Sequence, residues 1–443
     1  MKRFTRLAEL GECLQLPVED RSISGHAIDS RQVKAGDVFF ALKGEKFDGH
    51  DFLKEVAAKG AVAAVVEESY RGESAGLSLL KVSDVTKALQ ELAKYLQARR
   101  QQKIVAVTGS LGKTTTKEFI ATLLVQKYTV AKTPGNSNSQ VGLPLAILNG
   151  EGVEEIFVAE MGMWRAGEIR RLVEIAPPEI AVITKIGFPH IESFPEGLEG
   201  IAAAKAEVFS HPRTVLGVVG LETLNYGAIR DSGAFPKKSF AMAPAKANFV
   251  LEEGRLIQEG DQMSPPLYLP FTETHFCENF TGAASVARLL GLSWQEIIAG
   301  AKLLKSFGLR FERIEREGIV FINDCYNASP ESMEVALVNL PRPSFGGKTI
   351  AVLGEMTGLG SYSEGEHRKV AELALDKIEH LLCFGKGCLP MIAAFNGVGR
   401  PAEFFHDLQK LRATLFEISK PGDVVLIKGS NANQLWQILD LQK

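Results

Sequence analysis

The chain has 443 residues, of which 45% are hydrophobic and 23% are charged, and its formal net charge is −3. This length exceeds a single hydrophobic core, so we expect about two to four domains. The sequence contains neither an apolar run approaching the ~18 residues that cross a bilayer nor a basic tract suited to nucleic acid. Its five cysteines are scattered without paired spacing and are expected to be reduced. Because the N-terminus also lacks the apolar segment of a secretory signal, we predict a cytoplasmic protein that acts on small molecules without membrane insertion.

Short β-like runs alternate with helical patterns in three successive parts of the chain. A helix predicted over 85–99 and the polar stretch 99–102 mark a boundary near residue 100, and the pattern restarts after about residue 310. We therefore expect domains at 1–100, 101–308 and 309–443. Strands that alternate with helices are typical of a parallel sheet covered on both faces. The predicted strands are 37–40, 61–66, 104–107, 156–159, 180–183, 215–219, 319–322, 349–353, 381–384 and 424–427.

The clearest motif is a glycine-rich segment, 108–116, between a predicted strand and a helix predicted over 113–126. Glycines let backbone N–H groups wrap a polyphosphate, Lys113 can reach the outer phosphates, and Thr114 can ligate Mg²⁺. Val107 stands where the general pattern has its first glycine, and the sequence has no guanine-reading Asn-Lys-x-Asp motif. The segment therefore predicts a nucleotide site other than that of a GTPase. Its expected contacts are Gly109, Ser110, Leu111, Gly112, Lys113, Thr114 and Thr115.

Four further side chains have the chemistry that phosphoryl transfer requires. Glu160 ends a predicted strand and His190 follows the stretch 180–186, so both are expected at the carboxyl edge of the sheet, where a magnesium ligand is needed. Lys205 lies in an alanine-rich helical stretch, and Arg310 can supply a cation for the charge of the transferred phosphate. Taken singly, each of the four is also typical of an ordinary surface or linker side chain.

A series of different short motifs is distributed along nearly the whole chain. They are Asp29-Ser30-Arg31, Gly36-Asp37, Asp48-Gly49-His50, 108–117, 136–144, Glu160-Met161-Gly162, Gly167-Glu168-Ile169, His190-Ile191-Glu192, 204–207, Arg310-Phe311-Glu312 and 324–333. Together they resemble the motifs of the Mur ligases, whose T-G-x-x-G-K-T-T-T-K loop also lacks the first glycine of the general pattern. The three motifs of the first domain resemble the part that holds a uridine nucleotide.

The resemblance implies an α/β fold of three domains. These are a small N-terminal α/β domain that binds a nucleotide sugar, a central P-loop ATPase-type domain with a mostly parallel sheet, and a Rossmann-like C-terminal domain. It implies ATP and Mg²⁺ as cofactors, with carbamylated Lys205 as one metal ligand. The implied metal ligands are Thr114, Glu160, His190 and Lys205, and the implied catalytic residues are Lys113, His190, Lys205 and Arg310. Further implied nucleotide contacts are Asn279, Arg310, Asp324, Tyr326 and Asn327, and implied precursor contacts are Ser30, Arg31, Asp48, His50, Asn136 and Asn138.

The resemblance also implies a reaction, in which D-alanyl-D-alanine is joined to UDP-N-acetylmuramoyl-tripeptide. A carboxylate does not accept an amine directly, because its oxygen is a poor leaving group. ATP converts it to an acyl phosphate, which the amine then attacks. We expect a monomer whose third domain closes about a hinge near Ser306 to Leu309.

Alternatives stay open at this point. Within the same superfamily they are another Mur-type ligase that adds a single amino acid and a folylpolyglutamate synthetase. In a different class they are a P-loop small-molecule kinase and a non-catalytic nucleotide-binding scaffold. Phe276, Asn323 and Ser329 depart from the family pattern, which has Asn, Asp and Asn there. These departures leave the phosphate loop intact and affect contacts to adenine and precursor.

Overall fold

The protein is represented by a computed structural model, which describes residues 3–44, 46–260, 263–305, 308–344 and 346–440. They fold as two compact units, one formed by 1–184, 202–267 and 279–301 and the other by 185–201, 268–278 and 302–443. Residues 306 and 307 of the predicted hinge lie outside the described residues. No helix in the described part of the chain is long and apolar enough to cross a membrane.

The first unit begins with a four-stranded parallel sheet in the order β1-β2-β3-β4. The core of this part contains Phe39, Leu53 and Val56, which are almost completely buried. Asp84 begins the long helix α3 by accepting a hydrogen bond from the Lys87 N–H, which satisfies a donor that the first helical turn leaves free. The strands are β1 Gly25–Ala27, β2 Asp37–Phe40, β3 Ala63–Glu67 and β4 Ser78–Val82, and the helices are α1 Leu7–Leu14, α2 Leu53–Ala58 and α3 Val85–Gln97.

An eight-stranded sheet follows in the same unit, in the order β12-β11-β10-β9-β8-β5-β7-β6. Only the pair β11 and β12 is antiparallel. The strands nearest its centre are almost wholly apolar, as expected when both faces of a sheet are covered. The strands are β5 Lys103–Thr108, β6 Val130–Lys132, β7 Ile156–Glu160, β8 Ile180–Ile183, β9 Leu216–Gly220, β10 Lys237–Met242, β11 Phe249–Glu252 and β12 Arg255–Gln258. The helices in this part of the chain are α4 Lys113–Leu124, α5 Gly142–Asn149, α6 Glu168–Ile175, α7 Leu198–Ala206, α8 Gly227–Arg230, α9 Thr274–Leu289 and α10 Trp294–Ala301.

The second unit contains a six-stranded sheet in the order β13-β14-β18-β15-β16-β17, in which only the hairpin β13-β14 is antiparallel. Its core includes Phe321, Ile350, Leu382 and Val425. The strands are β13 Glu312–Arg316, β14 Ile319–Asn323, β15 Thr349–Gly354, β16 His380–Phe384, β17 Ala402–Phe405 and β18 Val424–Lys428. The helices are α11 Pro330–Val338, α12 Ser363–Leu375, α13 Leu389–Gly397, α14 Leu408–Ile418 and α15 Gln437–Asp440.

All ten strands listed from the sequence are present, with ends that differ by at most two residues, and the predicted helix after the glycine loop begins at Lys113 as expected. The mostly parallel α/β architecture is therefore confirmed. Short 3-10 helices lie at Ser30–Gln32, Gly49–Phe52, Ile191–Ser193, Glu207–Phe209, Leu221–Asn225, Gly360–Tyr362, Lys386–Cys388 and Asn431–Asn433.

Candidate nucleotide and metal site

The glycine loop joins the end of β5 to the start of α4. Gly109 and Gly112 have φ angles of 146° and 77°, and Gly112 is the N-cap residue that immediately precedes the helix. A β-carbon on Gly112 would overlap the side-chain amide of Asn279, so both the backbone angle and the space require glycine here. The Lys113 ammonium donates to the carbonyls of Gly109 at 2.7 Å and Ser110 at 3.1 Å. The loop thus holds a cation and the first N–H groups of a helix together, an arrangement that can receive phosphate.

Two neighbours support the loop from outside it. Asn279 accepts a hydrogen bond from the Thr116 hydroxyl at 3.3 Å, which places this predicted nucleotide contact directly against the loop. The Thr184 hydroxyl lies 2.5 Å from the carbonyl of Leu111, and its backbone N–H donates to the carbonyl of Thr108. Our sequence reasoning missed Thr184. Its position immediately after the apolar strand β8 was the available signal, because that end of the strand faces the carboxyl edge of the sheet.

Glu160 is the last residue of β7 and lies beside Val107 of β5 in the sheet register. Its side chain is fully buried, which excludes the reading as a solvated surface carboxylate. Oε1 accepts a hydrogen bond from Asn138 Nδ2 at 2.7 Å, whereas Oε2 has no hydrogen-bond partner among the described residues. A buried carboxylate oxygen that accepts no hydrogen bond is available to a cation, so this oxygen fits a Mg²⁺ ligand beside the phosphate loop.

Lys117, on α4, holds the other side of this carboxylate. Its buried ammonium lies 3.6 Å from Glu160 Oε2 and 3.1 Å from Glu118 Oε1. It also donates to the carbonyls of Thr133 and Gly135, at 2.9 Å and 2.6 Å. The lysine therefore fixes the loop that leads to Asn138 as well as the carboxylate itself. The sequence motif contains Lys117 as its last residue and does not indicate this supporting role.

Asn136 and Asn138 have different surroundings, although both are predicted to contact the precursor. Asn136 is exposed. Asn138 directs its amide nitrogen to Glu160, and its carbonyl accepts the Gly162 N–H at 2.8 Å. A β-carbon on Gly162 would press on the Asn138 side chain at 2.9 Å. Asn138 is thus built into the support of the candidate metal ligand.

Lys205 lies on α7 and is only 3% exposed, so the reading as a surface lysine is wrong. Burial, and secondarily the charge of Lys113, hold its pKa well below the ordinary value of 10.5. Two residues later, the Glu207 carboxylate accepts the backbone N–H groups of Gly167 and Arg170 and so anchors the start of α6. An amine in this setting favours its uncharged form, which can act as a nucleophile toward CO₂.

His190 lies in a part of the chain, 185–201, that belongs to the second unit. Its φ angle is 69°, and it immediately precedes the short helix Ile191–Ser193. This segment is held within the unit through the Phe188 N–H, which donates to Glu331 Oε1 at 2.7 Å. Three of the four predicted metal ligands, Thr114, Glu160 and Lys205, therefore belong to the first unit, and His190 belongs to the second.

The remaining nucleotide candidates of the second unit lie just before β13 and just after β14. The Arg310 guanidinium stacks on the Tyr326 ring at 3.8 Å. Asp324 Oδ2 pairs with the Lys428 ammonium at 2.6 Å, and the carbonyl of Asn327 accepts from the same ammonium at 3.0 Å. The structure therefore brings Arg310, Asp324, Tyr326 and Asn327 together, with Lys428 as an added member.

The predicted precursor contacts of the first sheet lie in two short turns. Ser30 is buried, whereas the Arg31 side chain is 84% exposed and pairs with Asp29. The Asp48 carboxylate caps Gly49–Phe52 and lies 2.6 Å from His50 Nδ1, while His50 Nε2 accepts the Glu67 N–H at 3.0 Å. Both ring nitrogens of His50 are thus occupied internally, so its side chain supports the turn and leaves the outward contacts to its neighbours.

Within the residues that the structure describes, no group of three or more His, Cys, Asp and Glu side chains could hold a metal ion. A Mg²⁺ ion at the predicted ligands Thr114 and Glu160 would need further ligands, such as the phosphates of a nucleotide. Magnesium is commonly bound in this way, through one or two carboxylates and substrate phosphates.

The parallel sheet, the glycine loop at a helix start and the carboxylate at the neighbouring strand end define a P-loop nucleotide-binding protein. Comparison with known proteins narrows this class. Family models match residues 22–96 (Mur ligase family, catalytic domain), 107–250 (Mur ligase middle domain) and 309–431 (Mur ligase, glutamate ligase domain).

Full-length relatives agree with these matches. The UDP-N-acetylmuramoyl-tripeptide–D-alanyl-D-alanine ligase of Bacillus subtilis is 32% identical over 95% of this chain and 93% of its own length. The protein of the same name from Escherichia coli is 30% identical, over 98% of this chain and 97% of its own.

Solved structures are similar along the whole chain. MurF from Acinetobacter baumannii has a TM-score of 0.81 at 27% identity and covers 98% of this chain and 97% of its own. MurF from Thermotoga maritima, in complex with ADP, has a TM-score of 0.75 at 30% identity. The match covers 94% of this chain and 96% of the Thermotoga chain. The chain belongs to the Mur ligase family. It is an ATP-dependent ligase with that family's three-domain α/β fold.

Proposed function

We propose that this chain joins D-alanyl-D-alanine to UDP-N-acetylmuramoyl-tripeptide at the expense of ATP, in the cytoplasm, during peptidoglycan precursor synthesis. Relatives of that name at 30–32% identity support this choice of substrates. The observation that carries it is the Lys205 amine, buried and depressed in pKa within the unit that contains the phosphate loop. A small-molecule kinase has no need for such a group. The proposed domains are 1–100, 101–308 and 309–443, each enclosing one sheet.

The proposed reaction has two steps. A carboxylate oxygen of the tripeptide attacks the γ-phosphorus of ATP, the bond to the β-phosphate oxygen breaks, and ADP leaves. The amine of D-alanyl-D-alanine then attacks the carbonyl carbon of the acyl phosphate. An amide bond forms, inorganic phosphate leaves, and the amine loses a proton. Because each step develops negative charge on phosphate oxygens, prearranged cations accelerate both.

The phosphate machinery is assigned to six side chains. Lys113 and Arg310 stabilise the charge of the transferring phosphoryl group, and Asn279 supports the loop at the nucleotide. Thr114 and Glu160 would hold Mg²⁺, with His190 placing a second ion. When bound, Mg²⁺ would neutralise and align the phosphate oxygens. The Oε2 atom of Glu160, which accepts no hydrogen bond among the described residues and lies 3.6 Å from the Lys117 ammonium, supports this assignment.

Lys205 is proposed to act as a carbamate. Its uncharged amine attacks CO₂, a nitrogen–carbon bond forms, and the lost proton passes to solvent. The product is an extended carboxylate on a side chain that as an ammonium could not ligate a cation. The low pKa of Lys205 favours this reaction, because only the free amine is nucleophilic.

The uridine nucleotide of the precursor is assigned to the two turns of the first sheet. Ser30, Arg31 and Asp48 are the proposed contacts, with His50 fixing the shape of the second turn through Asp48 and the backbone of Glu67. The exposed Asn136 is the proposed contact at the central sheet.

Product analysis tests the proposal. The purified chain is incubated with ATP, Mg²⁺ and UDP-N-acetylmuramoyl-tripeptide, with either D-alanyl-D-alanine or a single amino acid. We expect ADP, phosphate and a product mass that corresponds to dipeptide addition with loss of one water. Turnover with single amino acids would favour another Mur-type ligase, and turnover with a folate would favour a folylpolyglutamate synthetase. A phosphorylated end product would indicate a kinase. Precursors with diaminopimelate or lysine as third residue define the natural tripeptide.

A further inference from the structure

A buried lysine at the end of β18 has no part in the chemistry described so far. Lys428 follows the apolar residues of the strand and is 1% exposed. β14 and β18 are parallel neighbours, with Asn323 beside Ile427, so their ends bring Asp324 and Lys428 to one edge of the sheet. In the Asp324–Lys428 pair, with its 2.6 Å contact, the lysine side chain is 2% exposed and the aspartate side chain is 18% exposed. Because burying a lysine charge is costly, Lys428 depends on this partner.

Asp324 connects Lys428 to the segment that carries Arg310. While Oδ2 pairs with Lys428, Oδ1 accepts the N–H of Phe311 at 3.1 Å. On the other side of Arg310, the carbonyl of Leu309 accepts the N–H of Tyr326 at 3.0 Å. The arginine is thus tied down through both neighbouring residues, and its guanidinium stacks on Tyr326.

The backbone beside Arg310 needs such ties. Leu309 and Phe311 have φ angles of 63° and 50°, a left-handed conformation that residues with a β-carbon disfavour. Strained backbone of this kind persists only where surrounding contacts fix it. Of the hydrogen bonds described above, the one to the Phe311 N–H depends on Asp324, whose carboxylate is oriented by Lys428.

We propose that Lys428 is a positioning residue, which acts through Asp324 to hold the Arg310 guanidinium in the orientation required for phosphoryl transfer. This inference rests on the proposed role of Arg310. Lys428 itself contacts neither substrate nor nucleotide in this account. Its charge is required because an unpaired Asp324 carboxylate would turn away from the Phe311 amide and release one side of the arginine.

Steady-state kinetics of Lys428→Met test the inference, with Lys377→Met as the control for loss of an exposed lysine in the same unit. We expect kcat to fall about 10- to 100-fold in Lys428→Met, because displacing a catalytic group by roughly 1 Å has that effect. The KM for ATP should change less than kcat does, since Arg310 acts mainly in the transition state. An unchanged kcat would overturn the inference.

If Lys428→Met does not fold, Asp324→Asn/Lys428→Met replaces it, because this double variant leaves no unpaired buried charge. It should restore the cooperative thermal transition without restoring kcat. The neutral amide does not reproduce the hydrogen bond between the oriented Asp324 carboxylate and the Phe311 N–H. Full recovery of kcat in the double variant would show that the pair serves folding alone, and would overturn the inference.

A second comparison separates this inference from the proposed function. Residual turnover with radiolabelled ATP is measured in Arg310→Ala with and without Lys428→Met. If Lys428 acts through Arg310, the second substitution should cost less than about twofold in the Arg310→Ala background. If Lys428→Met reduced turnover equally with and without Arg310→Ala, the positioning role would be overturned, but the proposed role of Arg310 would stand. Full activity of Arg310→Ala would instead refute the role proposed for the arginine itself.

Discussion

The ammonium of Lys117 lies 3.6 Å from Oε2 of Glu160, and both side chains are completely buried. The lysine is on the helix that follows the phosphate loop, and the carboxylate is at the end of the neighbouring strand. The same ammonium binds the carbonyls of Thr133 and Gly135, on the approach to Asn138. One lysine therefore positions the candidate metal ligand and the loop from which Asn138 donates a hydrogen bond to that carboxylate.

Lys117→Met should destabilise the first unit by about 3 kcal/mol, because it leaves buried Glu160 without its cation and two carbonyls without their donor. Urea unfolding measures this loss. Glu160→Gln in the same chain should recover part of it, since the amide carries no charge, and the double-mutant cycle should give a coupling of roughly 1 kcal/mol or more. Additive effects would contradict the interaction.

Glu160→Gln should reduce kcat by at least about 100-fold at saturating ATP, because an amide is a far weaker Mg²⁺ ligand than a carboxylate. The Mg²⁺ concentration for half-maximal activity should rise in parallel. Glu174→Gln, at an exposed position of the same unit, is the matched control and should behave like the parent. A normal Mg²⁺ titration of Glu160→Gln would exclude this carboxylate from the metal site.

The sequence was sufficient to predict the parts of the fold that local patterns encode. Apolar runs such as 104–107 and 424–427 marked the central strands, and the glycine motif marked the start of α4. Edge elements were missed. The antiparallel strands β12 and β13 are short, mix charged with apolar residues, and are specified by pairing with a neighbour. No local pattern reveals such a partner.

The contacts that support the site residues could not be predicted from the sequence for a related reason. Motif matching identified Glu160 and Asp324, but Lys117 and Lys428 became meaningful only when distant segments were brought together. Spacing also could not distinguish an outward His50 from one whose two ring nitrogens are occupied by Asp48 and Glu67. Side-chain hydrogen bonding over long separations depends on the folded chain, and the sequence pattern carries little of it.

Lys205→Ala should lose most of its ligase activity, because alanine can form no carbamate. Short carboxylic acids added to the buffer should restore part of the turnover by occupying the space left by the side chain, and Lys205→Glu should retain part of it. Lys246→Ala, which removes an exposed lysine of the same unit, serves as the control. Unchanged turnover of Lys205→Ala would remove this residue from the mechanism.

Dependence on CO₂ provides a separate test of Lys205. In buffer depleted of CO₂ the parent should lose activity and regain it when bicarbonate is added. Because burial lowers the pKa of Lys205, this recovery should occur at neutral pH and weaken as acid protonates the amine. Lys205→Glu already carries a carboxylate and should not respond to bicarbonate. A parent that is equally active with and without CO₂ would contradict carbamylation.

His26, on β1, is a buried histidine whose two ring nitrogens have no hydrogen-bond partner among the described residues. It lies near the rings of Phe4 and Phe40, at centroid distances of 6.3 Å and 6.2 Å. Asn149 instead binds its backbone, accepting from the N–H and donating to the carbonyl at 2.9 Å each. Burial lowers the pKa of His26 from 6.5 to about 4, because the charged ring would lose its hydration.

This pKa difference makes the stability of the first unit sensitive to acid. Between pH 6.5 and 4 the unfolded chain binds a proton at His26 that the folded chain excludes, so stability falls as the pH is lowered through this window. Through His26, the free energy of unfolding at pH 5 is about 2 kcal/mol lower than at pH 7.5. His26→Leu removes the titrating group and keeps the backbone bonds to Asn149. In urea unfolding, the variant should therefore lose about 2 kcal/mol less than the parent over this pH range.

His406→Leu, at an exposed histidine, should retain the parent's pH dependence. His275, which burial also shifts to a pKa of about 4, is present in parent and variants alike and cancels from the difference. Equal slopes for the parent and His26→Leu would mean that the ring is already protonated, or reaches water, in the folded protein.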